Sequence, residues 1–512
     1  MSSTHQSDGI QIGTATIRTD AKETTEHAGQ NLKTEEHAML IMPDSLRELT
    51  TEDRNQIGRR IVRKIDFIVL PIIMILYILN YIDRQNLSAA KLQNIMGDLN
   101  MNASQFSTAI SILYVGYIPF QIPSNMVMTK ITRPGLYICC AVVVWGMISS
   151  CTGAAQSYRG LLAVRVILGV VEAVFFPGVI YYLSAWYTKQ ELGKRLAALY
   201  IGQQLGSGFG GLIAAGVLKL NGVHGIQGWR YLFIVEGVAT VGIGAISCFL
   251  MPEYPHNARL LNPIERDLAV WRIEQEAGVG EAHEEVGTLD GFLLALTDVK
   301  VWALVFCVIL SQALNSALNF LPTIVATLGY NETLTLVLTA PPYLFACFYF
   351  YFISWWSDRH SVLYWPILLS LIIGVVGFVI PLATTNLGAR YFAIMLFPSA
   401  TIGPQIPIYK TLNLHVARPY PKRAAGVALL NAIGGTSNVW GNYLWTQGPR
   451  FYPGFGMCVA VVVIFMVTIT LYKWHIANEN KKLSGDEFQV RSVMRAGVTQ
   501  EQVDMGWRYE GY

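Results

Sequence analysis

About a dozen apolar runs, each near the length of a membrane-crossing helix, make up most of this 512-residue chain. A helix needs about 20 residues to cross the hydrocarbon core of a bilayer. Only 14% of the residues are charged, whereas soluble proteins average about 25%. Helices satisfy their own backbone hydrogen bonds inside lipid. The pattern therefore predicts an all-α polytopic membrane protein with about twelve transmembrane helices.

The runs fall into two groups of six, separated by a polar segment. The predicted spans of the first group cover 65–90, 105–128, 134–153, 160–187, 195–217 and 229–251, and those of the second cover 299–326, 333–356, 362–383, 389–412, 424–446 and 454–474. This layout predicts two six-helix bundles, 61–251 and 299–475, joined by a central loop, 252–298. Residues 1–60 are predicted to form a disordered N-terminal tail, because they are polar and lack an early apolar core, and 476–512 a C-terminal tail.

The distribution of Lys and Arg predicts the orientation. Basic residues crowd the start of the first span and recur in alternate loops, in the central loop and in the C-terminal tail. Positive charge marks the cytoplasmic side of a membrane protein, so both termini are expected in the cytoplasm. Asn102 and Asn331 stand in N-x-Ser/Thr sequons and fall in predicted outside loops, which makes them candidate glycosylation sites. Within the central loop, Asn262-Pro263 predicts a helix start, and we interpret the loop as a surface strap between the halves, with a small regulatory domain as the alternative.

Four ionisable residues fall within predicted spans of the first group: Asp83, Arg84, Arg165 and Glu172. The first span must include Asp83 and Arg84, because its purely apolar part, 67–82, is only sixteen residues long. Such a side chain near the bilayer centre costs about 2.5–3.5 kcal/mol even on insertion scales, so it usually faces a water-filled cavity or a partner. These residues predict a polar pathway for an ion or a charged solute, with buried structural ion bridges as the alternative.

Helix geometry constrains how these four groups can meet. Arg165 and Glu172 lie on nearly one helix face but about 10 Å apart along the axis, which is too far for a direct pair. Asp83 and Arg84 point about 100° apart, so one can face a cavity while the other reaches a neighbouring helix. Since no His falls in the middle of a span, carboxylates are expected to carry any transported protons.

Other polar features of the spans favour structural roles. We expect a structural hydrogen bond at Glu236, and an interfacial position for the side chain of Lys410. The segment Gly206–Gly211 matches G-x-G-x-x-G, but it lies in the middle of an apolar span and predicts close helix packing rather than a nucleotide site. Gly434-Gly435 is interpreted in the same way. The seven cysteines have no metal-ligand spacing, so neither a disulfide framework nor a zinc site is expected.

Several motifs resemble a known family. The motifs that resemble the anion:cation symporter family of the major facilitator superfamily are Asn80-Tyr81-Ile82-Asp83-Arg84, Gly116-Tyr117-Ile118 with Gln121-Ile122-Pro123, Arg165-x-x-x-Gly169-x-x-Glu172, and Gly228-Trp229-Arg230 with Glu236-Gly237. Asn319-Phe320-Leu321-Pro322-Thr323 and Leu328-Gly329-Tyr330 resemble its fungal branch, which includes allantoate, nicotinate and pantothenate permeases. The resemblance extends over roughly residues 60–475.

This resemblance implies alternating access around a midplane site and proton-coupled transport of a small organic anion. By position, Arg84 and Arg165 match anion-handling arginines, and Asp83 and Glu172 match acids linked to proton coupling. The remaining positions matched to substrate contacts are Gln203, Asn431 and Asn438. No cofactor, metal or nucleic acid is expected. The expected setting is the cell membrane, with the vacuolar membrane as an alternative, and the expected functional unit is a monomer.

Two other functions stay open at this point. One is efflux of a secondary metabolite by the same fold, and the other is a nutrient sensor that moves nothing. A channel is disfavoured because the layout of two bundles suggests alternating access. An enzyme is not predicted, because no nucleophile–base set, metal cluster or phosphate-binding loop is found outside the spans.

Overall fold

The computed structural model describes residues 42–128, 130–281, 288–416, 419–485, 490, 508, 509 and 511. Within these residues the fold is helical and has no strand. The helices of the first half are α1 (Thr51–Ala90), α2 (Ala103–Met128), α3 (Pro134–Thr152), α4 (Tyr158–Glu172, continued by Phe175–Ser184), α5 (Lys189–Val217) and α6 (Gly228–Leu250). Those of the second half are α7 (Val299–Asn319, continued by Leu321–Ala326), α8 (Glu332–Val337, continued by Ala340–His360), α9 (Tyr364–Ala383), α10 (Leu387–Ile402, continued by Gln405–His415), α11 (Tyr420–Gly435, continued by Ser437–Trp440) and α12 (Tyr452–Lys482).

These helices confirm the predicted architecture of twelve helices in two groups of six. In the described part of the chain, eight helices are long and apolar enough to cross a membrane by length and composition alone. The other four, α2, α5, α10 and α11, are interrupted or more polar. They carry amide, tyrosine and glycine residues that line the space between the halves. These four helices are therefore less apolar because each has a face that lines the polar space between the halves.

Glycines allow helix backbones to touch in the first bundle. A Cβ atom added at Gly169 would lie 2.1 Å from the carbonyl oxygen of Leu113, and one at Gly116 would lie 2.5 Å from that of Val166. Helices α2 and α4 therefore cross in backbone contact. In α5, a Cβ at Gly206 would lie 2.7 Å from the carbonyl oxygen of Ile78, so this glycine-rich stretch packs closely against α1, as predicted.

We expect Gly169→Ala to lower the thermal unfolding midpoint of the purified protein. The new methyl group would overlap the backbone of Leu113, and overpacking of this kind typically costs about 1–3 kcal/mol. The matched control is Gly216→Ala in α5, where an added Cβ has no neighbour within 4 Å. The control should be neutral or stabilising, because Ala is the better helix former. Equal midpoints for the two variants would contradict this packing.

The two bundles touch at the end of the molecule opposite the central loop. There Gln93 after α1 donates a hydrogen bond of 2.5 Å to Glu332 of α8. The Tyr443 hydroxyl, just after α11, lies 3.0 Å from the hydroxyl of Thr108 in α2. Ser88 also donates to the backbone carbonyl oxygen of Asn319. These contacts join the halves at that end.

The central loop contains two helices, one on each bundle. The helix Pro263–Glu281 lies on the start of α1, where Lys64 Nζ contacts Glu265 Oε2 at 2.7 Å. Burial raises the pKa of Glu265, but hydrogen bonds from Lys64 and from the Asn262 backbone outweigh it and hold that pKa below its usual range. The helix Thr288–Thr297 packs against the start of α11. Each helix is thus fixed to one half, and the joining residues 282–287 lie outside the described residues.

The predicted N-terminal tail requires a correction. Residues 1–41 lie outside the described residues, but Asp44–Arg47 are helical and α1 already begins at Thr51. The Thr50 side chain caps this helix by accepting a hydrogen bond of 3.2 Å from the backbone N–H of Asp53. The prediction of disorder is therefore wrong for this stretch. Its polar residues form a helix because they pack against the central loop.

The predicted C-terminal tail also differs. Helix α12 continues to Lys482, and the described residues near the C-terminus lie against the second bundle. The hydroxyl of Tyr509 is buried and accepts a hydrogen bond of 2.8 Å from Lys300 Nζ at the start of α7. The Leu363 N–H donates to the carbonyl oxygen of Gly511 at 2.8 Å. Residues 486–489, 491–507, 510 and 512 lie outside the described residues.

Candidate functional site

A cavity of about 400 Å³ lies between the two bundles and is lined by both of them. Its lining contains many carboxamides: Asn80, Gln85, Gln121, Asn125, Gln203, Gln204, Gln312, Asn315, Asn319, Gln405, Asn431 and Asn438. It also contains the tyrosines Tyr77, Tyr81, Tyr114, Tyr117, Tyr200, Tyr343 and Tyr409. Apart from tyrosines, Arg84 and Glu172 are the ionisable residues among the described lining. The cavity is therefore polar but almost free of charge.

Arg84 and Glu172 form an ion pair across α1 and α4. Arg84 Nε and Nη2 donate to the same oxygen, Glu172 Oε2, at 2.9 and 2.8 Å. The side chain of Glu172 is fully buried, whereas that of Arg84 is 15% exposed. Glu172 Oε1 has no hydrogen-bond partner among the described residues. Arg84 is thus the accessible member of the pair, and Glu172 depends on it for charge compensation.

Three tyrosine rings surround the Arg84 guanidinium. Its Cζ atom lies 5.4 Å from the ring centre of Tyr81, 5.9 Å from that of Tyr114 and 4.8 Å from that of Tyr117. Aromatic faces attract a cation at such distances. The tyrosines therefore fix the direction in which Arg84 presents its N–H groups to the cavity.

Asp83 and Arg165 lie behind the cavity wall. Each is only 3% exposed, and neither lines the main cavity. Ser149 of α3 donates a hydrogen bond to Asp83 Oδ1, while Asp83 Oδ2 and the Nε and Nη2 atoms of Arg165 have no hydrogen-bond partner among the described residues. Arg165 lines a separate void of about 20 Å³ that it shares with Arg84. Of the two residues predicted to share a helix face, Glu172 therefore lines the main cavity, whereas Arg165 does not.

The other three predicted contact residues do line the cavity. They are Gln203 of α5 and Asn431 and Asn438 of α11. Asn431 Oδ1 accepts a hydrogen bond of 2.6 Å from the hydroxyl of Tyr409 in α10. The structure thus brings five of the seven predicted coupling and substrate positions to one cavity, and leaves Asp83 and Arg165 beside it.

Sequence reasoning missed the tyrosines around Arg84 and the amides of α7. Tyr114 and Tyr117 are three residues apart in α2, a spacing that places both on one helix face. Gln312 and Asn315 have the same spacing in α7 and hydrogen-bond each other. Paired polar or aromatic residues at this spacing inside a predicted span are the signal that could have found them.

Four further predicted positions lie away from the cavity. Glu236 accepts a hydrogen bond from Asn86, as expected for a structural role. Lys410 forms an ion pair with Asp358 at the end of α8. Asn102 and Asn331 are exposed, and each side chain accepts a backbone N–H bond of 2.8 Å near the start of a helix. No group of His, Cys, Asp and Glu that could hold a metal ion occurs among the residues with described positions.

Known proteins resemble this chain over most of its length. A profile of the Major Facilitator Superfamily matches residues 73–442. The chain is 30% identical over 464 residues to the major facilitator-type transporter hxnP of Emericella nidulans, which covers 88% of this chain and 92% of that protein. It is 26% identical over 426 residues to a putative tartrate transporter of Agrobacterium vitis, covering 82% of this chain and 96% of that one.

A solved structure is similar in fold. A bacterial homolog of the human lysosomal transporter Spinster, crystallised in an inward-facing and occupied conformation, superposes with a TM-score of 0.63. The match covers 84% of this chain and 98% of that one at 14% sequence identity. At this identity the similarity concerns the fold alone.

Proposed function

The chain belongs to the major facilitator superfamily and is a membrane transporter rather than an enzyme, and from this premise we propose that it takes up a small organic anion together with protons by alternating access. Within the superfamily, we assign the chain to the anion:cation symporter branch, with the fungal permeases. It acts as a monomer in the cell membrane, with both termini in the cytoplasm. The observation that carries the proposal is the Arg84–Glu172 pair at the wall of an otherwise uncharged cavity.

Charge balance in this cavity supports coupling. The empty cavity is neutral, because Arg84 compensates Glu172. A substrate carboxylate that binds Arg84 competes with Glu172, which is buried and has no second cation within ion-pair distance among the described residues. Breaking a buried ion pair while one charge remains costs about 3–5 kcal/mol. A proton on Glu172 removes that cost, so that the loaded cavity is neutral again.

The half-loaded states carry a net charge. Substrate alone leaves one negative charge in excess, and a proton alone leaves Arg84 uncompensated. Closing the cavity around an unpaired charge is costly because the charge loses its water. Only the empty and the fully loaded states therefore close readily, which couples the two fluxes.

The remaining predicted residues receive supporting roles in this proposal. Asp83 lies next in sequence to Arg84 and serves as a further proton-binding acid behind the wall. Arg165 provides a positive field between the two acids from its buried position. Gln203, Asn431 and Asn438 hydrogen-bond the uncharged part of the substrate. A membrane potential of 100 mV, negative inside, opposes uptake of a monoanion by about 2.3 kcal/mol, and one proton cancels that charge.

We expect single-charge selectivity from this cavity. Arg84 is its one cation among the described lining residues, so a dianion leaves a net negative charge even when Glu172 is protonated. In proteoliposomes with an acidic exterior, nicotinate, pantothenate and sugar acids with one carboxylate should accumulate at least about tenfold better than tartrate, since 1.4 kcal/mol gives a factor of ten. Tartrate is the dianion for comparison, because one relative is named a putative tartrate transporter.

The same experiment separates the alternatives. Equal or better accumulation of tartrate would contradict the selectivity, and accumulation that ignores the pH gradient would contradict the coupling. Movement of substrate only in the direction opposite to the proton gradient, out of the compartment that the central loop faces, would indicate metabolite efflux. Binding without flux for the whole panel would indicate a sensor.

A further inference from the structure

Glu236 is a carboxyl group inside the first bundle that the proposed transport cycle does not use. It lies on α6, is 6% exposed and does not line the cavity. Its Oε2 atom accepts a hydrogen bond from Asn86 Nδ2 on α1. The other oxygen of each side chain, Glu236 Oε1 and Asn86 Oδ1, is buried and has no hydrogen-bond partner among the described residues.

In the described part of the chain, no cation lies within ion-pair distance of this carboxyl group. Among the described ion pairs within 4 Å, none involves Glu236. The Cζ atom of Arg165 in α4 lies 5.6 Å from the ring centre of Phe233. Phe233 is one turn before Glu236 in α6. Arg230, also on α6, donates to the carbonyl oxygens of Gly153 and Ala155 at 2.7 Å each.

The helices packed against α6 add no compensating charge. Helix α1 presents Asp83, a second acid, which is bonded to Ser149, while Arg84 of α1 is paired with Glu172. Helix α3, Pro134–Thr152, contains no Asp, Glu, Lys, Arg or His. Lys219 is the ionisable group in the turn after α5. An ionised carboxylate with one amide donor and no cation is among the most unfavourable arrangements in a membrane interior.

We propose that Glu236 permanently carries a proton and forms a closed acid–amide pair with Asn86. In this pair, Asn86 Nδ2–H donates to Glu236 Oε2, and the added proton on Glu236 Oε1 is donated to Asn86 Oδ1. A single proton thereby satisfies both orphaned oxygens. No other atom or electron is transferred, because the step is the binding of one proton from water.

The closed pair has a consequence for the cavity. Asn86 stands two residues after Arg84 and three after Asp83 on α1. The closed acid–amide pair is neutral and joins α1 to α6 by two hydrogen bonds. It fixes this turn of α1 without adding a charge near Arg84 and Glu172. Glu236 is therefore a positioning residue, and its proton is separate from those that the transport proposal moves. This pairing of Glu236 with Asn86 does not depend on transport.

The test compares Glu236→Gln with Glu236→Leu in the full chain, reconstituted in lipid. Glutamine imitates the protonated acid, because its amide accepts from Asn86 Nδ2 and donates to Asn86 Oδ1. Leucine is similar in size but leaves both Asn86 groups without partners. We expect Glu236→Gln to keep the wild-type thermal midpoint and uptake, and Glu236→Leu to lower the midpoint by several degrees.

Infrared spectroscopy gives a direct second readout. At neutral pH the wild-type protein should show the C=O stretch of a protonated carboxylic acid, and the difference spectrum against Glu236→Gln should show its loss. Absence of a lost carboxylic-acid band from that difference spectrum would overturn the proposal even if Glu236→Leu fails to fold. A Glu236→Gln variant as damaged as Glu236→Leu would also overturn it. Failure of the transport proposal would instead appear at Glu172, with the Glu236 band unchanged.

Discussion

Glu172→Gln is expected to abolish pH-driven accumulation of substrate while leaving substrate exchange intact. In the variant, the loaded cavity contains Arg84 and the anion and remains neutral, so it still closes and exchanges one substrate molecule for another. The empty cavity contains an uncompensated Arg84, so the return step without substrate is blocked. Net uptake stops, although the protein still binds its substrate.

Two measurements on the same proteoliposomes check this prediction. One is accumulation of labelled substrate under an imposed pH gradient, where each coupled proton supplies about a tenfold ratio per pH unit. The other is counterflow of labelled substrate against unlabelled substrate without a gradient. The accumulation ratio should fall to the level without coupling, while counterflow stays within a small factor of wild type.

Glu236→Gln is the matched control, because it removes another buried carboxyl group of the first bundle that we expect to be uninvolved. Full pH-driven accumulation by Glu172→Gln would refute the coupling role.

The second large effect is expected at Arg84. Arg84→Gln removes the one cation of the described cavity lining and leaves Glu172 without its partner. We expect anion affinity to fall at least about thirtyfold, because truncating one member of a buried, hydrogen-bonded charge pair costs about 2–5 kcal/mol and 1.4 kcal/mol is a factor of ten. Arg84→Lys should recover only part of this affinity, since an ammonium group lacks the planar fork of donors.

Binding and stability can be separated for this site. Isothermal titration measures the affinity, and thermal unfolding measures stability without substrate. The double variant Arg84→Gln with Glu172→Gln should regain stability relative to Arg84→Gln alone, because Glu172 no longer leaves an unpaired buried charge, but it should not regain binding. Arg390→Gln in the second bundle is the control, since Arg390 bonds Thr327 at 2.8 Å and does not line the cavity. Near-normal affinity in Arg84→Gln would show that the anion binds elsewhere.

The helical architecture was predictable because it depends on local properties of the chain. A run of about 20 apolar residues must cross the bilayer whatever its neighbours are. Most helices begin and end close to the predicted limits, but α1 already begins at Thr51 and α12 continues to Lys482. The direction of Asp83 relative to Arg84 also followed from helix geometry. The second central-loop helix, Thr288–Thr297, was not predicted, because its apolar residues were grouped with a polar segment.

The pairing at the site was not predictable in the same way. Spacing along α4 correctly excluded a direct pair between Arg165 and Glu172, but it could not identify the partner of Glu172 on another helix. That partner depends on which helices cross and how closely. Here the glycine contacts of Gly116 and Gly169 draw α2 and α4 together, and the tyrosines of α2 then surround Arg84. Tertiary packing determines this arrangement, and no local pattern specifies it.

The charged groups of the cavity come from the first bundle alone, while the second bundle contributes amides, tyrosines and apolar residues. In the proposed cycle, proton coupling and recognition of the carboxylate therefore belong to the first bundle, whereas the uncharged part of the substrate meets amides of both halves. If this cycle holds, substitutions in α7, α10 and α11 would change which uncharged groups are accepted while Arg84 and Glu172 stay in place. Diversification within such a family would then be concentrated in the C-terminal half.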